Sequence, residues 1–298
     1  MSDPSLAYLA PPPRQVPLPL RCQIMFGGGF NQLGWIVLLF GTGVFWSMGF
    51  NSEFFSLFTF RGPMAAAAGL VTASENTGVS VGGSKRRKGT PVFANHFSFK
   101  AADGLSVHGV SYATGRQLPA GQPVAVEYCL DNPAACRIQG MRSRLFGYEA
   151  MAVLIVPLAG VGLLLPGFLR GRRASRLLAG GLLGEAVLKS KEPTRTKVNK
   201  QTVYKLCFGF KATDGKEYDL TVKTHRPQWL EDEHQEKLIY DPAHPGGGIL
   251  VDYLPGTFFV DSHGQLQPGS SRSALLATLV PTITVLGNAI YAFSRFLG

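Results

Sequence analysis

Three stretches of this chain carry no charged side chain, and longer mixed stretches separate them. The first runs from Cys22 to Ser52, the second from Ala150 to Leu169 and the third from Ser273 to Ser294. A helix needs about 20 residues to cross a hydrocarbon core, so each stretch is long enough. None keeps the recurring polar face expected of a buried helix in a soluble protein. The sequence therefore predicts three transmembrane helices, over residues 31–52, 149–169 and 273–295. Pro157, Pro166, Pro281 and Asn288 interrupt them. Membrane helices tolerate such residues, because neighbouring helices satisfy the freed polar groups. The absence of ionisable groups inside the spans argues against a pump or coupled transporter, which needs them along its ion path.

Between the apolar stretches the period falls to two. Phe97 alternates with Phe99, and Phe208 with Phe210, as a half-buried strand requires. These pairs belong to a repeat. Phe97-Ser-Phe-Lys-Ala-Ala-Asp-Gly104 returns as Phe208-Gly-Phe-Lys-Ala-Thr-Asp-Gly215, identical at six of eight positions. Gly69 is set against Gly184, and Glu127-Tyr128 against Ile239-Tyr240. Each Asp-Gly lies between strand-like runs and supplies the positive φ of a tight hairpin turn. The first copy reads as strands near residues 69–76, 92–101, 105–112, 123–129 and 136–140. The second echoes them near 184–190, 203–212, 217–224, 235–240 and 249–253. Closure into a small barrel would remove the exposed edges of so few short strands.

The predicted fold class is thus an α+β membrane protein. Three transmembrane helices alternate with two duplicated five-stranded β-barrels, SH3-like or OB-like. Residues 1–30 read as a proline- and glycine-rich tail, 64–145 as the first β domain and 177–262 as the second. The tail has no basic start leading into an apolar run, so it does not read as a cleaved signal peptide.

Charge changes this picture in two places. The formal net charge is +10, and Arg170, Arg172, Arg173 and Arg176 directly follow the second span. Basic residues favour the cytoplasmic flank. This sets the N-terminus with Arg14 and Arg21 inside, the first β domain outside and the second inside, in a multi-pass protein of the inner membrane. The other basic group is Lys85-Arg86-Arg87-Lys88, on a predicted long loop between the first two strands. Arg195, Lys197 and Lys200 fall on the corresponding loop of the second copy. Both loops are candidates for contact with anionic lipid or another membrane protein, each charge near a lipid surface contributing about 1 kcal/mol, the alternative being solvated loop tips. Nucleic acid is disfavoured, since no row of exposed aromatics accompanies them.

Cys129 and Cys136 flank a turn-like stretch and form a candidate disulfide, the alternative being two buried free thiols. Motifs for chemistry are lacking. His225, His234 and His244 with Glu231, Asp232 and Glu233 do not have zinc-site spacing. There is no phosphate-cradling Gly-rich loop and no Gly-x-Ser-x-Gly elbow. No catalytic, cofactor or metal residues are assigned, and an enzyme is not expected.

The segments Gly69-Leu-Val-Thr72, Val107-His-Gly-Val-Ser-Tyr112, Val124-Ala-Val-Glu-Tyr128 and Asp131-Asn-Pro133 complete a series with the Phe-x-Phe-Lys turn. In this series the chain resembles an uncharacterised bacterial domain-of-unknown-function family of small membrane proteins that carry a β module beside apolar spans. The resemblance implies an integral membrane protein and no reaction. The functional expectation is a non-enzymatic membrane protein whose two β domains bind or scaffold partners near the bilayer. The alternative is an accessory subunit of a membrane transport or envelope-maintenance complex.

Overall fold

A computed structural model describes Leu6 and residues 8–296, apart from Lys85, Asn199, residues 231–233 and Pro255, and describes Trp229 by its backbone alone. In chain order the helices are α1 (Leu18–Phe26), α2 (Gly29–Val44), α3 (Ser56–Thr59), α4 (Ile155–Gly180) and α5 (Ser271–Phe296). Strands β1 (Met64–Val81), β2 (Thr90–Lys100), β3 (Ser106–Thr114), β4 (Pro123–Cys129) and β5 (Asn132–Ile138) lie between α3 and α4. Strands β6 (Leu182–Val198), β7 (Gln201–Lys211), β8 (Glu217–Thr224), β9 (Glu236–Asp241) and β10 (His244–Leu250) follow α4, and β11 (Phe258–Val260) pairs with β12 (Leu266–Pro268). The chain divides into two units, one of residues 1–39 and 159–298 and the other of residues 40–158.

Three helical stretches are long and apolar enough to cross a membrane: Gly29–Gly49, Tyr148–Gly180 and Ser271–Phe296. The first includes a π-helical turn at Phe45–Gly49 after α2, and the second opens with a 3-10 segment at Tyr148–Leu154 before α4. Small residues let the helices approach closely. A Cβ on Gly160 would lie 2.8 Å from the backbone nitrogen of Leu38, and one on Gly34 would lie 2.9 Å from Leu164. In the second unit a Cβ on Gly41 would lie 2.6 Å from the nitrogen of Pro157. The Gln32 side-chain amide donates to the Ala277 carbonyl at 2.8 Å, which ties α2 to α5.

The unit of residues 40–158 holds an antiparallel sheet in the order β3-β2-β1-β4-β5. Its core gathers Val71, Phe97, Phe99, Leu118, Val126, Tyr128, Cys136 and Ile138. Phe97 and Phe99 point inward together, as their spacing of two predicts, and Asn95 on the same face is fully buried. Asn95 Oδ1 accepts from Ser74 Oγ at 2.8 Å and from the Leu118 amide at 3.0 Å, which fixes the segment between β3 and β4.

The other unit holds a sheet with the same connectivity, β8-β7-β6-β9-β10. Leu206, Phe208, Phe210, Val222, Leu238, Tyr240 and Leu250 form its core. The two sheets share finer devices. The Ala102 amide donates to Tyr128 Oη at 3.0 Å, and the Thr213 amide to Tyr240 Oη at 3.1 Å. Both Asp-Gly turns put glycine at positive φ, +83° at Gly104 and +79° at Gly215. The landmark in the first strands needs correction. Gly69 faces Phe99, whereas Ala186 faces Phe210, so Ala186 and not Gly184 is its counterpart.

The N-terminal segment is not a plain tail. Val16, Leu20 and Ile24 pack with Ala174, Leu177 and Leu178 of α4, with Ile239 of β9 and with Leu266 of β12. Pro17 immediately precedes α1 and Pro19 lies in its first turn, where a missing amide costs nothing. The Arg14 amide donates to the Ala179 carbonyl at 2.7 Å and its guanidinium to the Leu178 carbonyl at 3.1 Å. Both acceptors are otherwise unsatisfied carbonyls at the end of α4, where a cation also suits the helix dipole. Burial lowers the Arg14 pKa from its ordinary value. A single adjacent pair on β9 thus serves two cores, with Tyr240 inside the sheet and Ile239 against the helices.

Candidate functional site

The outer end of the first hairpin of each sheet is largely exposed. In the first sheet β4 pairs with β1 only from Met64 to Leu70, and β3 pairs with β2 only from Val92 inward. Beyond these limits Asn76–Val81 and Thr90–Pro91 continue as a two-stranded ribbon. In the second sheet β9 pairs with β6 only from Leu182 to Ala186, and β8 pairs with β7 from Tyr204 inward. Pro193–Val198 and Gln201–Tyr204 form the corresponding ribbon. The long loops expected from the sequence are therefore extended hairpin arms.

One device starts each arm. Thr77 Oγ1 donates to the Val92 carbonyl at 2.8 Å and accepts from the Val79 amide at 3.3 Å. Thr194 Oγ1 donates to the Val203 carbonyl at 2.7 Å and accepts from the Thr196 amide at 3.3 Å. Each threonine sits at a register shift, where a bulge turns the ribbon away from its sheet. The bonded residues are 15 apart in the first arm and 9 apart in the second, so the first arm is longer. That difference explains why the repeat falls out of step between its first and second strands.

The basic residues singled out in the sequence lie on these arms. Ser84 and Arg87 exchange backbone hydrogen bonds of 2.9 and 3.1 Å at the first tip, and Arg86, Arg87 and Lys88 are exposed. Lys85 lies outside the described residues. At the second tip Val198 faces Gln201, Lys200 turns at φ +66°, and Arg195, Lys197 and Lys200 are exposed. Lower on this arm the charges are engaged. Lys189 Nζ lies 2.7 Å from Asp219 and 3.5 Å from Glu217, and the bond to Asp219 raises its pKa. Lys191 lies 4.9 Å from the Tyr204 ring centre, and Lys205 lies 3.9 Å from Glu192. Among the described residues no carboxylate pairs with Arg195, Lys197 or Lys200, so the net positive charge is at the tip.

The β4–β5 hairpin does not bring its two cysteines together. Cys136 faces Tyr128 across the ladder and Cys129 faces Asn132. Adjacent strand positions point to opposite faces, so Tyr128 and Cys136 share one face and Cys129 takes the other. Both are buried free thiols rather than the candidate disulfide. Burial raises the Cys136 pKa to about 11.

Among the described residues no three His, Cys, Asp or Glu side chains group as metal ligands. The acidic stretch 231–233 lies outside those residues. Sequence reasoning missed Glu53, whose buried carboxylate meets Arg137 at 3.3 Å and accepts from the Ser143 and Arg144 amides, each at 3.0 Å. A lone acid directly after a predicted span gave no signal of these distant partners.

No family model matches the chain, and no curated protein matches it. Among solved structures, a replication protein A heterotrimer bound to ssDNA is matched at 11% identity and a TM-score of 0.15, over 74% of this chain and 53% of that one. The chain thus spans about half the length of the chain it matches. A likeness at this level carries no argument about fold or function.

Proposed function

We propose that this chain is a non-enzymatic integral membrane protein that presents two duplicated β modules as docking sites for acidic protein segments beside the bilayer. The carrying observation is the pair of basic, two-stranded arms built on the same threonine device in both sheets. A ribbon beyond its sheet offers unpaired backbone groups along its edges, which suit strand addition by a partner, and the tip charges select an acidic one. The resemblance to a bacterial family with a β module beside apolar spans agrees with this reading.

Each sheet curls into a small barrel in this proposal. The Ile138 amide donates to Ser111 Oγ at 2.8 Å, and Tyr112 and Arg142 exchange backbone bonds of 2.8 and 3.1 Å, linking β3 to β5 and the segment after it. In the second sheet Tyr253 Oη donates to the Lys223 carbonyl at 3.0 Å. With the three apolar helices crossing the inner membrane, the first module is extracytoplasmic and the second cytoplasmic.

The test uses the full chain in nanodiscs of zwitterionic lipid, with an acidic polyglutamate-containing peptide as probe. Arg195→Glu, Lys197→Glu and Lys200→Glu together should weaken binding by at least about 30-fold, given two or more charge contacts of about 1–1.5 kcal/mol each. Equal binding by wild type and variant sinks the proposal. Binding that appears only when the disc contains anionic lipid replaces the protein partner with the membrane surface.

A further inference from the structure

We infer that the cytoplasmic end of α4 carries a binding pocket for the phosphate-bearing headgroup of an anionic glycerophospholipid. This goes beyond the docking role of the arms, although it rests on α4 crossing the membrane. A cavity of about 630 Å³ lies where α4 meets the second sheet, and Arg173, Arg176, Leu177, Gly181, Asp241 and His244 are among its lining residues. That volume is in the range of small-molecule sites, about 300–1,000 Å³, and exceeds the need of a lone inorganic ion.

Arg173 and Arg176 are three residues apart on one helix, so their side chains project from the same face. Arg173 Nη2 donates to the Gly247 carbonyl at 2.5 Å, which holds the guanidinium at the cavity while leaving other N–H groups for a ligand. Gly247 belongs to β10, so the pocket wall is shared by helix and sheet. Arg172 is engaged elsewhere, 5.9 Å from the Phe168 ring centre, and does not line the cavity. The Asp241 carboxylate lies 3.7 Å from His244 Nδ1, an ion pair only when the imidazole is protonated.

Position along the helix favours a lipid over a free anion. Leu169 ends the uncharged stretch, and Arg173 and Arg176 follow it by four and seven residues. At 1.5 Å per residue their backbones stand about 6 and 10 Å beyond the apolar stretch, the first within a headgroup layer of about 5–8 Å and the second just past it, where a long side chain reaches back. Basic pockets at that depth recognise anionic headgroups, and guanidinium forks match phosphate geometry.

The experiment compares wild type with Arg173→Gln/Arg176→Gln in nanodiscs of phosphatidylcholine with increasing phosphatidylglycerol, reading bound lipid by native mass spectrometry and thermal unfolding in parallel. Wild type should retain phosphatidylglycerol and be stabilised by it. The double variant should bind it about 30-fold more weakly, from the loss of two surface charges. Arg170→Gln/Arg172→Gln serves as the charge-matched control and should lose much less. If the double variant does not fold, Arg173→Lys/Arg176→Lys keeps charge but not the fork and should show intermediate retention. Equal losses in the two glutamine variants overturn the pocket in favour of diffuse attraction. Equal stabilisation by inorganic phosphate in a neutral disc also overturns it, by assigning a free-anion site. If the chain stays soluble without detergent or lipid, the membrane reading itself fails, and that outcome is distinguishable from the loss of this pocket alone.

Discussion

Glu53 Oε1 lies 3.3 Å from Arg137 Nη1, although 84 residues separate them in the chain. The Glu53 side chain is only 4% exposed, and Arg137 also reaches Glu127 Oε1 at 3.0 Å and stacks 4.8 Å from the Phe60 ring centre. Glu127 matters here because its counterpart in the second sheet is Ile239. The second sheet attaches to its helices through an apolar contact at this position, and the first attaches to the segment after α2 through charge. Two sheets of the same connectivity are therefore anchored at this position by different chemistry.

Removing the buried carboxylate should be costly. Glu53→Ala leaves two backbone amides without their acceptor and Arg137 with Glu127 as its remaining carboxylate, and should destabilise residues 40–158 by about 3 kcal/mol, below the upper figures for buried pairs because Arg137 is partly exposed. Both amides donate to the same oxygen, so Glu53→Gln, with its carbonyl oxygen in that place, keeps their acceptor and should lose less. Denaturant unfolding in detergent checks both, and equal stability of wild type and Glu53→Ala would sink the assignment.

Cys136 should behave as an inert thiol. A Cβ on Gly109 of β3 would lie 2.6 Å from its Sγ and 2.5 Å from Phe97, so the site is closed by direct contact. The thiol is neutral to about pH 11 in the folded chain, against an ordinary value near 9.0. Folding therefore favours the protonated form, and its contribution is complete below pH 9 and lost as pH rises from 9 towards 11. Cys136→Ser should flatten that alkaline decline, and maleimide should modify Cys22 and Cys207, which are half-buried, well before Cys136.

Asp214 gives the opposite sign. Its carboxylate accepts from the Lys216 amide at 3.0 Å and from Tyr218 Oη at 2.8 Å, and these bonds hold its pKa below the ordinary carboxylate range. Its contribution is present above the unfolded pKa and fades as pH falls through the folded value. Asp214→Asn should reduce the acid sensitivity of the second sheet without altering its neutral-pH fold. Titration of this carboxyl by NMR at an ordinary value would contradict the turn geometry.

Much of this architecture could be read from residue order alone. Local signals were sufficient for the apolar helices, the Phe-x-Phe strands and the Asp-Gly turns, because each depends on neighbours within a few positions. Tyr128 and Tyr240 could also be matched, and each accepts the equivalent backbone amide. Helix α1 was hidden because Leu20 and Ile24 find their partners on α4 and β12, more than a hundred residues away. The arms were read as loops because exposed ribbons lack the apolar alternation of a half-buried strand. Glycine at 69 suggested a glycine counterpart, but register selects by facing residue, and Ala186 fills that position.

The proposed topology rests on basic flanks that include Arg173 and Arg176 of the proposed pocket. Arg14 and Arg21 precede α2, and Arg170 to Arg176 follow the apolar part of α4, so the positive flanks agree only when both face the cytoplasm. In the proposed topology the arm tips lie in different compartments. In a background with the four cysteines replaced, single cysteines at Arg86→Cys and Lys200→Cys place one thiol on each exposed tip. A membrane-impermeant maleimide should label position 86 in intact cells and position 200 only after permeabilisation. Labelling of both tips, or of neither, means that an apolar helix does not cross. The two modules would then share a face, and the arms would act on one partner surface rather than on two.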